Sequence, residues 1–265
     1  DILESPIYWD AFNWKDPENL ARTEKKTPRR YQLEAVEAAI SGFQRTDRGK
    51  LIMPPGTGKT FVALQIAERL VGPGGYVLFL APSIALVEQT LRAWLADARV
   101  PLRPFAVTSD QTVGREEDSL DRTTVLTIPP TTNPEELARV AGTPDPERMT
   151  VVVCTYHSID VIANAQRLGL PQFQLIIADE AHRTTGIARE EKQSYYLKVH
   201  QNDGVWGAKR LYMTATPRVF VPRLKKKLEE LEIDYYSMDD DETFGPEFFR
   251  YGFGQAVDEG HLCDY

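Results

Sequence analysis

The fold is decided by the stretch LIMPPGTGKT at residues 51–60. A short apolar run leads into a glycine-rich turn, and apolar residues then recur at helical spacing from Phe61 to Leu70. A strand, such a loop and a helix in succession are typical of a phosphate site, because glycines let backbone N–H groups approach phosphate oxygens at a helix N-terminus. We therefore predict a phosphate-binding loop made of Pro55, Gly56, Thr57, Gly58, Lys59 and Thr60.

The last two residues of this loop carry its chemistry. The ammonium group of Lys59 suits the outer phosphates of a nucleotide, and the Thr60 hydroxyl suits a Mg²⁺ ion bound to them. The strict pattern has glycine where this chain has Met53, so the prediction depends on the Gly-x-Gly-Lys-Thr core and its flanking elements. The alternative is a glycine-rich turn with an exposed lysine.

The same unit, an apolar run followed by an amphipathic helix, recurs along the chain. Short, fully apolar strands that alternate with helices indicate a parallel sheet covered on both faces. The sequence therefore predicts a doubly wound α/β fold. Its predicted strands are 51–53, 76–80, 151–154, 175–178 and 211–213, with helices at 31–43, 61–70, 84–95 and 159–168; the less regular segment 110–149 adds a candidate strand at 123–128 and a short helix at 135–140.

Composition limits the class of protein. The chain has 265 residues, of which 42% are hydrophobic and 26% charged, enough for a substantial core. It contains neither a run of about 18 apolar residues nor a signal-peptide pattern, so we expect a cytoplasmic protein without a membrane partner. Two cysteines are too few for a disulfide framework. The net charge of -8 argues against a simple DNA-binding domain, although it does not exclude a motor whose acids lie away from its track.

A second motif, LIIADEAH, occupies residues 175–182. An apolar strand that ends in two acids places carboxylates at the carboxyl edge of the sheet, where open α/β folds bind ligands. Asp179 is suited to hold Mg²⁺, which leaves Glu180 to orient and deprotonate an attacking water. Taken alone, the pair more often marks a solvated helix start, but the phosphate-binding loop upstream favours hydrolysis.

These motifs resemble a known series. DEAH at residues 179–182 and MTATP at 213–217 resemble motifs II and III of superfamily 2 helicases of the DEAH-box type. RYQ at 30–32, APS at 81–83 and TYHS at 155–158 resemble further motifs of that family and stand in its order. The resemblance implies the N-terminal RecA-like lobe of a helicase or translocase, with ATP and Mg²⁺ as cofactors.

The resemblance also implies roles at the nucleotide. Gln32 would hydrogen-bond the adenine edge, with Arg30 nearby. His182 would bridge the hydrolytic acids to motif III or to a partner lobe. The implied catalytic set is Lys59, Asp179, Glu180 and His182.

Further roles are implied on the nucleic-acid side. Small hydroxyls touch phosphates without reading bases. The implied contacts to the nucleic-acid backbone are Pro82, Ser83, Thr155 and Ser158, and the residues implied to couple nucleotide to track are Thr214 and Thr216. Caps and turns use the same residue types, and ordinary strand and turn threonines remain the alternative for the last two.

A finer resemblance covers most of the chain. Stretches 47–53, 179–185 and 244–257 look like the motor region of Type ISP restriction-modification enzymes, which move on double-stranded DNA. Residues 1–28 lack clear periodicity, and we predict an extended arm there. The resemblance implies a RecA-like lobe at 29–235 and a linker at 236–265 toward a second lobe and further restriction-modification domains. Because that lobe would supply an arginine, we expect this one alone to hydrolyse ATP poorly. An RNA helicase lobe and a nucleotide-sensing scaffold remain alternatives.

Overall fold

A computed structural model describes residues 25–109, 130–187, 195–202, 204–231, 233 and 235–263. Most of the predicted arm and the candidate strand at 123–128 lie outside these residues. The described helices are α1 (Arg30–Gly42), α2 (Lys59–Leu70), α3 (Ile84–Asp97), α4 (Pro134–Ala141), α5 (Ile159–Arg167), α6 (Pro222–Glu230), α7 (Asp241–Phe244) and α8 (Phe253–Asp258). The described strands are β1 (Arg48–Ile52), β2 (Tyr76–Ala81), β3 (Leu102–Val107), β4 (Met149–Thr155), β5 (Phe173–Ala178), β6 (Gly186–Ile187), β7 (Gly207–Thr214), β8 (Tyr235–Tyr236) and β9 (Glu247–Arg250).

Seven strands form one sheet in the order β3-β4-β2-β5-β7-β1-β9, and every neighbouring pair is parallel. The strands β6 and β8 form a separate antiparallel pair. Strand β2 is buried along its whole length, with Val77 and Phe79 in one hydrophobic cluster and Leu78 and Leu80 in the other. Helices α1, α2 and α3 contribute to the first cluster, and α4 and α5 to the second. The predicted RecA-like, doubly wound α/β fold is confirmed.

Strand β3 is not among the predicted strands. Its sequence, LRPFAV, carries Pro104, which has no N–H group for a sheet hydrogen bond. The structure places β3 at an edge of the sheet, where proline is tolerated.

The segment expected to be a linker is 236–265, and its described part, 236–263, packs on the lobe. Its strand β9 pairs with β1 and forms the other edge of the sheet, and Tyr251 N–H donates to the Ile52 carbonyl at 2.8 Å. The Phe248 ring lies so close to Gly42 and Gly49 that a Cβ atom at either would approach it within 2.3 Å. The folded unit therefore extends past residue 235. Whether the segment also leads to a second lobe stays a prediction.

Within the described ranges, no helix combines the length and the apolar composition that a membrane crossing requires.

Candidate nucleotide site

The predicted phosphate-binding loop joins the carboxyl end of β1 to α2. Gly56 and Gly58 have φ angles of 80° and 81°, in the left-handed region that glycine adopts without strain. Thr57 Oγ1 donates to the Pro54 carbonyl at 2.7 Å, and α2 begins at Lys59 with no acidic residue in its first turn. Lys59 Nζ donates to the Met53 carbonyl at 3.3 Å, so its charge lies across the loop. A tight loop at an acid-free helix N-terminus suits an anion.

Two residues of α1 hold the loop from the side. Gln32 Nε2 and Tyr31 Oη both donate to the Thr57 carbonyl, at 2.9 Å and 3.0 Å. A Cβ atom at Gly58 would lie 2.5 Å from Gln32 Nε2, so this contact also requires glycine there. Gln32 Oε1 accepts the N–H of Arg29 at 2.9 Å. The structure thus brings Gln32 to the loop, and its proposed contact with adenine stays a prediction.

Arg30 is not brought to the loop. Its side chain is 93% exposed and its Nε donates to Glu34 at 2.9 Å. No described contact joins Arg30 to the residues of the phosphate-binding loop.

Asp179 follows β5 at the carboxyl edge of the sheet, and its N–H donates to the Leu80 carbonyl of β2 at 3.0 Å. Among the described residues, its buried Oδ1 has no hydrogen-bond partner. Burial, with a further contribution from Glu180, raises the pKa of Asp179 to about 6, while the charge of Lys59 opposes this rise. A buried carboxylate oxygen without a donor is suited to a cation. The residues at this position therefore fit Mg²⁺, which prefers oxygen ligands and keeps substrate phosphates in its shell.

Glu180 adopts an unusual backbone conformation. Its φ of 49° makes it the one non-glycine residue with a positive φ in the described part of the chain. Such a conformation costs energy and persists only where the surroundings impose it. It immediately precedes the 3-10 turn Ala181–Thr184, which carries His182.

His182 lies between the acids and the end of β7. Its Nδ1 is 3.3 Å from Glu180 Oε2 and 3.0 Å from Thr214 Oγ1. Burial lowers the pKa of His182, so the imidazole is neutral near neutral pH. Thr214 Oγ1 also accepts the N–H of Thr216 at 3.2 Å. The structure thus brings Glu180, His182, Thr214 and Thr216 into one chain of contacts.

The residues expected to touch nucleic acid lie at the ends of two adjacent strands. Ala81 of β2 is the register partner of Thr155 of β4, so the turns that follow these strands are neighbours. Ser83 is exposed and caps α3 by accepting the Leu86 N–H at 3.4 Å. Thr155 Oγ1 donates to Ser158 Oγ at 3.0 Å. The geometry groups Pro82, Ser83, Thr155 and Ser158 on one edge, and their contact with nucleic acid stays a prediction.

Sequence reasoning missed His200, a buried residue behind the acids. Its Nε2 is 3.0 Å from the Thr184 carbonyl, and its Nδ1 is 3.0 Å from Tyr212 Oη. Since a carbonyl only accepts, Nε2 carries the proton and Nδ1 accepts from the tyrosine. Burial lowers the pKa of His200 to about 4. His200 thereby ties the turn after the acids to β7, and no local pattern in the sequence indicates this.

This buried imidazole predicts a sensitivity to acid that His200→Gln should remove. A histidine with a folded pKa of about 4 stays neutral while the unfolded chain takes up a proton near 6.5, so stability falls as the pH falls through that window. We expect the wild-type chain to lose roughly 2 kcal/mol more than the variant in free energy of unfolding between about pH 7.5 and 5. Urea denaturation at both pH values measures this difference.

Asp179 acts in the opposite direction, since its raised pKa adds stability as the pH falls through 6. It is present in both chains and cancels in the comparison. An identical loss in wild type and variant would show that His200 is not buried in its neutral form.

Comparisons with known proteins show what this chain is similar to. The family described as "Type III restriction enzyme, res subunit" matches residues 25–219. The Type I restriction enzyme EcoAI endonuclease subunit of Escherichia coli is 28% identical over 243 residues, which are 91% of this chain and 24% of that protein.

Two solved structures are similar as well. A nuclease-deletion mutant of the Type ISP restriction-modification enzyme LlaGI, in complex with a DNA substrate mimic, matches with a TM-score of 0.73 and 40% identity over 89% of this chain and 21% of its own. The ATP-dependent Type ISP restriction-modification enzyme LlaBIII, bound to DNA, matches with a TM-score of 0.79 and 42% identity over 99% of this chain and 17% of its own. The chain therefore spans a quarter or less of the length of these relatives. By its fold, its ordered motifs and the match over most of its length, the chain belongs to the Type III restriction enzyme res subunit family of superfamily 2 helicases.

Proposed function

We propose that this chain is the ATP-binding lobe of a DNA translocase of the Type ISP kind, which hydrolyses Mg-ATP to move on duplex DNA. One observation carries the proposal: two motifs share the carboxyl edge of one parallel sheet. They are the glycine-rich loop with Lys59 and the acid pair of buried Asp179 and Glu180. His182 joins these acids to Thr214. That arrangement suits nucleotide hydrolysis that is coupled to β7, the strand that ends at Thr214.

The chemistry follows from the positions of the side chains. Lys59 binds the outer phosphates, and Thr60 with Asp179 would hold Mg²⁺, which when bound supplies positive charge to the phosphate oxygens. Glu180 orients a water molecule and accepts its proton as the water oxygen bonds to the γ-phosphorus and the bond to the β-phosphate oxygen breaks. His182 keeps the Glu180 carboxylate in place through the 3.3 Å contact.

Duplex DNA is the proposed track. Of the two similar Type ISP structures, that of LlaGI is in complex with a DNA substrate mimic and that of LlaBIII is bound to DNA. In this chain, exposed Ser83 and the hydroxyl pair of Thr155 and Ser158 offer neighbouring groups that suit a phosphate backbone. We further propose that the lobe works with a second RecA-like lobe and other restriction-modification domains, in the cytoplasm, and that it hydrolyses ATP poorly by itself.

The nucleic-acid dependence of the ATPase tests this proposal. In the protein that carries both lobes, we expect duplex DNA to stimulate phosphate release from ATP, with smaller effects of single-stranded DNA and RNA. Phosphate release is measured with each nucleic acid at saturating ATP, and Glu180→Gln serves as the inactive control. Stimulation by RNA alone would identify an RNA helicase lobe instead. Unchanged biological activity of Lys59→Ala would identify a nucleotide-sensing scaffold.

A further inference from the structure

Tyr156 connects the turn expected to touch DNA with the backbone of the hydrolytic acids. It directly follows β4, opens the 3-10 turn Tyr156–Ser158 and is fully buried. Its Oη donates to the backbone carbonyl of Asp179 at 2.7 Å, across 23 residues of sequence. Burial raises the pKa of Tyr156, so the phenol keeps its proton and remains a donor.

The acceptor of this hydrogen bond lies in the backbone next to the strained residue Glu180. The Asp179 carbonyl belongs to the peptide unit that joins Asp179 to Glu180, and the bond about which Glu180 has its φ of 49° starts from that same unit. The neighbouring peptide is also held, because the Asp179 N–H donates to the Leu80 carbonyl at 3.0 Å. A strained conformation of this kind needs such support. The Tyr156 hydroxyl therefore helps to set the direction in which the Glu180 side chain points.

Tyr156 also lies in the turn that holds the hydroxyl pair of Thr155 and Ser158. Thr155 Oγ1 donates to Ser158 Oγ at 3.0 Å, so the side chains on either side of the Tyr156-His157 pair are bonded to each other. A phosphate that accepts from the Thr155 hydroxyl must replace this bond. A rearrangement that shifts the backbone of this turn would move Tyr156, which holds the Asp179 carbonyl.

We propose that Tyr156 is a positioning residue that couples contact with the DNA backbone at Thr155 and Ser158 to the orientation of the peptide between Asp179 and Glu180. This inference rests on the proposed function, since it assigns the route by which the track stimulates hydrolysis.

The test is Tyr156→Phe in the protein that carries both lobes. This change removes the hydroxyl and leaves the buried ring. We expect the kcat of DNA-stimulated ATP hydrolysis to fall about tenfold, while the KM for ATP and the Kd for duplex DNA stay within about twofold. The reason is that the change removes one hydrogen bond that orients the site but removes no contact with ATP or DNA. Tyr196→Phe is the matched control, since the Tyr196 ring lies 4.9 Å from that of Tyr156 but its hydroxyl does not bond the Asp179 carbonyl.

Rates are normalised to the concentration of ATP-binding sites, so that a loss of folded protein does not count as support. A kcat for Tyr156→Phe equal to that of wild type, with wild type stimulated by duplex DNA, overturns the inference alone. A weaker Kd for DNA with unchanged kcat at saturating DNA overturns it too, because Tyr156 would then belong to the binding surface. A wild-type protein that no nucleic acid stimulates overturns the proposed function as well.

Discussion

Replacing Glu180 with glutamine is expected to lower the rate of ATP hydrolysis by about 10²- to 10⁴-fold while ATP still binds. The carboxylate stands at the start of the 3-10 turn, partly exposed and 3.3 Å from the neutral His182. Glutamine keeps the size of the side chain and an oxygen that can face His182, but it cannot accept the proton of the attacking water. Because the phosphate-binding loop is untouched, the variant should hold Mg-ATP without turning it over.

The experiment compares steady-state phosphate release with binding of a fluorescent ATP analogue in the protein that carries both lobes. Glu242→Gln, in the exposed first turn of α7, is the control for loss of one negative charge. Hydrolysis by Glu180→Gln within about tenfold of wild type would mean that another group activates the water. A loss of ATP binding would place Glu180 in the nucleotide shell instead.

Much of the sheet is predictable from sequence because its central strands are buried on both faces. Such strands are unbroken apolar runs, and the runs at 76–80, 151–154 and 175–178 all belong to structural strands. Both sheet edges escape this reasoning. Strand β3 contains a proline, and β9, with the sequence EFFR, is only partly buried. Edge strands are less completely buried than central strands, so their sequences are less continuously apolar and harder to recognise as strands.

The candidate site divides in the same physical way. The loop around Gly56 and the pair at Asp179 are local in sequence, and their residue types and spacing are enough to predict them. The roles of Tyr156 and His200 depend on contacts with residues 23 and 16 positions away, which only the folded chain brings together. The same holds for Gln32, whose amide bonds the phosphate-binding loop from α1. Spacing predicts the groups proposed to carry the chemistry, and packing decides which groups hold them.

Asp179→Asn should make the chain without nucleotide more stable while abolishing its ATPase activity. Burial raises the pKa of Asp179 to about 6, above its ordinary value of 3.8, so the folded state disfavours the ionised form. As the pH rises from 3.8 through about 6, the wild type therefore loses stability, by up to about 3 kcal/mol for a shift of this size. Asparagine has nearly the same shape and no charge to desolvate. The variant's gain in free energy of unfolding should shrink to roughly half near pH 5, where the wild-type carboxyl is largely protonated in the folded state.

Urea denaturation of the chain and its variant at about pH 8 and 5, in chelator and then with Mg²⁺ and ATP, measures both parts. In chelator the variant should unfold at higher urea at pH 8, and Mg-ATP should narrow or reverse the difference, because only the carboxylate of the wild type gains a cation as partner. Equal stability at pH 8 in chelator would contradict a buried carboxylate with a raised pKa. A gain that persists with Mg-ATP would instead show that Asp179 takes no part in holding the metal. The opposite signs of the two effects follow from one cause: a carboxylate that is buried, with one oxygen lacking a hydrogen-bond donor, weakens the empty fold and is suited to hold a cation.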